Sequence, residues 1–384
     1  MDLSSIGVVD NHCHALDADQ SSGGAAAWRT RFTESPHETM QTTQVADTAF
    51  YRRLMRSLAS YLGLPPESEE QAILDAREQL STEQLASGMY SDANIAGVVV
   101  DTGYPPPDRA LARATFDSAV GTPRVDLLRL ELLFQDLIAT HGRYDDVVDD
   151  LDSRLSDVRA AGFAGFKSIA GYRTGLSIDR WQRTDIDDAF VSARADVAAK
   201  GSVRLGYKPL LDSLLHVCLA RAAEQQLPVQ FHIGYGDPDV DLRKASPLEL
   251  RNIFEDPAYR AVPIVLLHGC WPYFREGAYL AAVYENAYLD LSYGIPFMSL
   301  AELTSMTRAA FGAAPFGKLM YSSDGTRVPE LHWMGAHTGR RAIGRVLDEL
   351  VSDGDLSVDQ AFAAADQVLA GNAWRLYGLP GTRP

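Results

Sequence analysis

Gly7-Val-Val-Asp-Asn-His-Cys-His14 is the first apolar run of the chain, and it ends on two histidines separated by a single residue. Side chains two apart on a strand share a face, so His12 and His14 are expected to project together from the C-terminal end of a strand over Gly7–Asn11. Two imidazoles so placed suit one divalent cation. Cys13, between them, is expected to face the other way and to pack rather than act as a nucleophile.

Seven more short runs rich in β-branched residues follow: Ile95–Asp101, Val125–Glu131, Gly165–Ile169, Val229–His232, Ile264–His268, Ala287–Leu291 and Lys318–Ser323. Helix-like stretches alternate with them, among them Leu151–Ala161, Leu210–Gln226 and Pro272–Asn286, with Gly339–Val351 and Val358–Leu369 after the last. Eight strands in a βα rhythm predict an α/β fold, the (β/α)8 TIM barrel, over a single domain of residues 1–384. Residues 15–94 are too many for one connection, and Asp47–Leu62 and Glu67–Leu80 have helical apolar spacing. They predict a helical cap inserted after the first strand, while Thr174–Leu205 reads as a shorter insertion after the fourth.

Hydrophobic residues make up 46% of the 384 and charged ones 22%, the composition of a globular domain that buries a sizeable core. A net charge of -16 argues against nucleic acid as a partner. No apolar run reaches membrane-spanning length and no secretory leader is visible, so a cytoplasmic protein acting on a small molecule is expected; a homo-oligomer is compatible with this. Three cysteines without paired spacing indicate neither a disulfide framework nor a cysteine-rich zinc site.

The rim on which barrel active sites sit is where further polar residues fall. His232 closes the fifth predicted strand, His268 the sixth, and Asp324 follows the eighth. This order of His-Cys-His, His, His and Asp resembles the amidohydrolase superfamily. Gly165–Leu176, His232–Asp237, Leu267–Glu276 and Tyr321–Gly325 look more closely like the amidohydrolase domain that plants and fungi fuse to a glutamine-synthetase-like domain.

That resemblance implies a divalent metal, zinc first with manganese or iron as alternatives, held by His12, His14, His232 and Asp324. Asp324 would also carry the proton of the attacking water. It leaves two roles open for His268, ligand of a second metal or imidazole polarising the scissile carbonyl. Lys167 is expected either as a carbamylated bridge between two metals or as a positive charge for a substrate carboxylate or a developing oxyanion, and one metal is favoured. Tyr172, Arg173 and Arg275 are candidates for binding substrate, because a guanidinium pairs bidentately with a carboxylate. Glu131 and Glu330 could equally be salt-bridge partners. The expected reaction is hydrolysis of a C–N amide bond in a small carboxylate-bearing molecule. A non-oxidative decarboxylase or hydratase on the same site and an inactive binding barrel are the alternatives.

Overall fold

The computed structural model describes residues 1–383. Eight strands form one parallel sheet in sequential order: β1 Val8–His14, β2 Ile95–Asp101, β3 Arg124–Arg129, β4 Phe163–Ser168, β5 Val229–Phe231, β6 Ile264–Leu266, β7 Ala287–Ser292 and β8 Leu319–Ser322. The sheet curls into a nearly closed (β/α)8 barrel. At its rim the Asp324 amide donates to the His12 carbonyl at 3.0 Å, and the His14 amide donates to the Gly325 carbonyl at 2.8 Å, which draws the segment after β8 against β1.

The barrel interior is layered. At the bottom, Val9, Val99, Leu127, Ala164, Val265 and Met320 pack against Ala370, Ala373, Tyr377 and Leu379 of the C-terminal segment, which closes that end. Above them lies a buried polar layer: Asn11 Nδ2 donates to Asp290 at 2.8 Å, and Gln230 Nε2 donates to the Asn11 carbonyl at 2.8 Å. Its hydrogen bonds offset part of the cost of burying those groups, while Asn11 Oδ1 and Gln230 Oε1 have no partner among the described residues. Only above this layer does the interior open.

Several predicted boundaries shift. The third strand ends at Arg129, so Glu131 lies in the helix Leu130–Thr140. The sixth ends at Leu266, which leaves His268 on a one-turn helix with φ 62°. The helix predicted over Leu151–Ala161 lies earlier, at Tyr144–Arg154. Between β4 and β5 stands a full helix, Arg183–Lys200, in the place of the short insertion.

Between β1 and β2 the longer helices are Ala49–Tyr61, Glu70–Arg77 and Thr82–Asp92. The last, started by a Ser81/Gln84 capping box, had no counterpart among the expected helices. It packs along the barrel wall beside Pro329–Ser352, where Trp333 Nε1 donates to Asp92 at 2.6 Å. The earlier part of the segment reaches over the rim. Arg77 ties it down: its guanidinium, 1% exposed, pairs with the fully buried Glu330 and donates to the Gln20 carbonyl, 4.4 Å from the Trp28 ring. Among the described residues, no helix is long and apolar enough to cross a membrane.

Candidate metal centre

The first strand places its histidines by way of a β-bulge. Asp10 pairs with Val98 and Cys13 with Val100, so three steps on β1 match two on β2. The extra residue breaks strict alternation. Asn11 and His12 both turn into the barrel, while Asp10 and Cys13 face outward to Ser323 and the Val99 carbonyl.

His12 Nε2 and His14 Nε2 lie 3.5 and 3.7 Å from Asp324 Oδ1. Those distances are too long for good hydrogen bonds, yet they are the separations of donors that share one ion at roughly 2.0–2.2 Å. A cluster of His12, His14 and Asp324 therefore fits a divalent cation. Burial drives the His12 pKa well below its ordinary value and that of His14 to about 4, so both imidazoles are neutral and free to ligate. Behind His14, Asp101 lies 3.9 Å from Nδ1. Burial works against the Asp101 carboxylate, but Arg129, paired with it, holds its pKa below the ordinary range.

Asp324 sits in the left-handed region at φ 53°. A non-glycine residue there costs of order 1–3 kcal/mol and persists only where its surroundings hold it. Asp10 supplies that hold, accepting from the Ser323 amide at 2.8 Å and from the Ser323 hydroxyl, while Ser323 Oγ accepts from the Gly325 amide. His332, bonded to Tyr90, stands behind Asp10.

The other two histidines form a chain. His232 Nε2 meets the Tyr235 carbonyl at 2.5 Å, and a carbonyl can only accept, so Nε2 carries the hydrogen. His232 Nδ1 then accepts from His268 Nε2 at 2.8 Å, which leaves His268 Nδ1 as a lone pair 3.3 Å from both Asp324 Oδ2 and Ser292 Oγ. Burial keeps both rings neutral. Two acceptors face each other, and a proton or a cation between them removes the repulsion. Tyr235 also donates its hydroxyl to Asp324 Oδ2 at 2.5 Å.

These groups line the floor of a cavity of about 420 Å³. Lys167, 1% exposed, stands with Nζ 3.4 Å from His12 Nε2, and burial lowers its pKa. Tyr172 and Arg173 line the wall. Arg275 does not reach the cavity: it is exposed on the helix Phe274–Val283, with its guanidinium 5.6 Å from the Phe274 ring. Glu131 accepts from Ser168 and the Ile169 amide, and Glu330 pairs with Arg77; both are structural contacts. Cys13 is fully buried away from the opening. Sequence reading passed over Asp101, Arg129, Tyr235 and the cap residues Arg31 and Glu34, which all meet at this site. Asp101 carried a usable signal, as a carboxylate closing the apolar run Val98-Val-Val-Asp101.

Glu34 reaches the cavity and has no ion-pair partner among the described residues. Burial, helped by Asp237, raises its pKa from the ordinary 4.5 to about 7. Between those values the folded chain keeps a proton that the unfolded chain has released, so stability falls as pH rises from 4.5 to 7. In cation-free protein, Glu34→Gln is expected to exceed the parent in stability by about 2 kcal/mol at pH 8 and by much less at pH 5. Urea unfolding at the two pH values tests it; equal differences at both would refute it.

Imidazole and carboxylate donors gathered on the C-terminal rim of a (β/α)8 barrel define the class of metal-dependent, hydrolase-like barrels. The amidohydrolase family pattern matches residues 9–379, and the chain belongs to that family. Protein fluG of Emericella nidulans is 34% identical over 252 residues, covering 64% of this chain; the matched part is 29% of that relative's length. Among solved structures, one from Lactobacillus casei assigned as a metal-dependent hydrolase superposes with a TM-score of 0.87, at 24% identity over 98% of this chain and 96% of that one. Uronate isomerase from Thermotoga maritima gives 0.68 at 11% identity over 97% and 95%. These two share the fold.

Proposed function

We propose that this amidohydrolase cleaves the C–N amide bond of a small carboxylate-bearing molecule with the help of one divalent cation, zinc first among the candidates. The observation that carries the reading is the approach of His12 Nε2 and His14 Nε2 to the same oxygen of Asp324 on the floor of the cavity. His232 would complete the ligand set by turning its ring from the Tyr235 carbonyl. When bound, such a cation supplies Lewis acidity for the carbonyl and lowers the pKa of water.

The chain's own groups do the rest. Asp324, made more basic by burial, takes the proton of the attacking water and returns it to the leaving nitrogen. His268 Nδ1, 3.3 Å from Asp324 Oδ2, is placed to share that proton. Lys167 offers positive charge to the developing oxyanion, and Arg173 with Tyr172 binds the substrate's carboxylate. The protein is taken as a single barrel domain, with residues 15–94 as its cap.

A panel of N-acyl and γ-glutamyl amino-acid amides tests the reaction. Amine release that stops with chelator and returns with added cation is expected. Release of carbon dioxide from carboxylates without amine would replace the reading by a decarboxylase. Replacing both His12 and His14 by Ala is expected to lower bound cation well below one equivalent by elemental analysis; a full equivalent would overturn the ligand assignment.

A further inference from the structure

Six cationic side chains line the cavity, Arg31, Arg129, Lys167, Arg173, Arg204 and Arg327, in a protein of net charge -16. Three are committed: Arg129 to Asp101, Arg204 to Asp239 and Arg327 to Asp17. Lys167 stands on the floor beside His12. Arg31 and Arg173 remain, and neither has an ion-pair partner among the described residues. Each leaves a buried nitrogen without a hydrogen-bond partner, Nη1 in Arg31 and Nε in Arg173. A buried donor left unmade costs about 1–3 kcal/mol, more when charged, so both sites favour an incoming acceptor.

The two guanidinium groups stand on different sides of the opening. Arg173 follows β4. Arg31, on the one-turn helix Thr30–Phe32 of the cap, lies within electrostatic range of Arg77, Arg327, Glu330 and Asp17, on the side where the chain leaves β8. β4 and β8 face each other across an eight-stranded barrel. Arg31 is also held in place. Its Nη2 donates to the Ser21 carbonyl at 2.6 Å, and its guanidinium lies 5.1 Å from the Trp28 ring, so little side-chain freedom is left to lose on binding. Thr326, which lines the same wall, has a buried hydroxyl that is likewise unpartnered. Glu34 and Asp237, acidic groups of the same lining, repel one another, and neither forms an ion pair with Arg31 or Arg173 among the described residues.

We infer that Arg31 is a specificity-determining residue that binds a second anionic group of the substrate, opposite the one bound by Arg173, so that the natural substrate is a molecule with an acidic group at each end. This rests on reading the cavity as the substrate site, and it deepens the proposed function by naming the substrate's charge pattern. It does not depend on which bond is broken.

Calorimetric binding to the cation-loaded protein decides it. The probes are straight-chain α,ω-dicarboxylates from succinate to azelate, each compared with its monomethyl ester. The best diacid is expected to bind at least tenfold more tightly than its ester. In Arg31→Gln that preference is expected to shrink to within twofold, with bound cation unchanged. If Arg31→Gln does not fold, Arg31→Lys is read instead, and a drop of at least threefold in the preference is expected from loss of the bidentate fork. No diacid preferred by the parent, or a preference unchanged in the folded variant, overturns the inference. Failure of amide hydrolysis would refute the reaction and leave this binding result standing.

Discussion

Asp324→Asn is expected to lower turnover by about 10²–10⁴-fold while the barrel stays folded. The change removes a proton carrier and one negative charge but almost no volume. The main-chain frame of residue 324 does not depend on the side chain: its amide donates to the His12 carbonyl, and Asp10 holds Ser323. What is lost is specific. Oδ1 no longer offers full charge between His12 and His14, and Oδ2 no longer exchanges a proton beside His268 and Tyr235. Steady-state kinetics at saturating substrate, with bound cation measured on the same sample, separates a chemical defect from a binding one. Activity within threefold of the parent would remove Asp324 from the mechanism.

Arg77→Met is expected to destabilise the protein by about 3–5 kcal/mol, because it removes the guanidinium paired with the buried Glu330 carboxylate and leaves it only the more distant charge of Arg31 in a site closed to water. The loss is large against the 5–15 kcal/mol typical of whole domains. Glu330 also opens the helix Pro329–Ser352, where the helix dipole favours its charge but does not replace a guanidinium. Adding Glu330→Gln to Arg77→Met is expected to recover much of the loss, since the buried charge then disappears. Denaturant unfolding of the parent, the single and the double variant measures this. A single variant within 1 kcal/mol of the parent would show that other contacts carry the cap.

These two residues mark how far the chain could be read in one dimension. Asp324 was legible, because a carboxylate directly after Tyr321-Ser-Ser323 falls where barrel chemistry collects, and His12, His14, His232 and His268 were legible for the same reason. The eight strands followed from apolar runs at βα spacing, a local property of each segment. Glu330 was visible only as an ambiguous acid, since its partner Arg77 lies 253 residues away and no spacing rule links them.

What the chain by itself determined is the barrel and the identity of most groups on its rim, because strand formation and strand-end position depend on neighbours a few residues apart. Tertiary structure alone decided their geometry. The bulge that turns both Asn11 and His12 inward arises from pairing with β2, and the left-handed turn at Asp324 is held by Asp10 across the gap between β1 and β8. The exclusion of Arg275 and the arrival of Arg31, Glu34 and Tyr235 depend on how the rim loops and the cap fold over the opening. Contacts between residues far apart in the chain are set by packing, and packing leaves no period in the sequence to read.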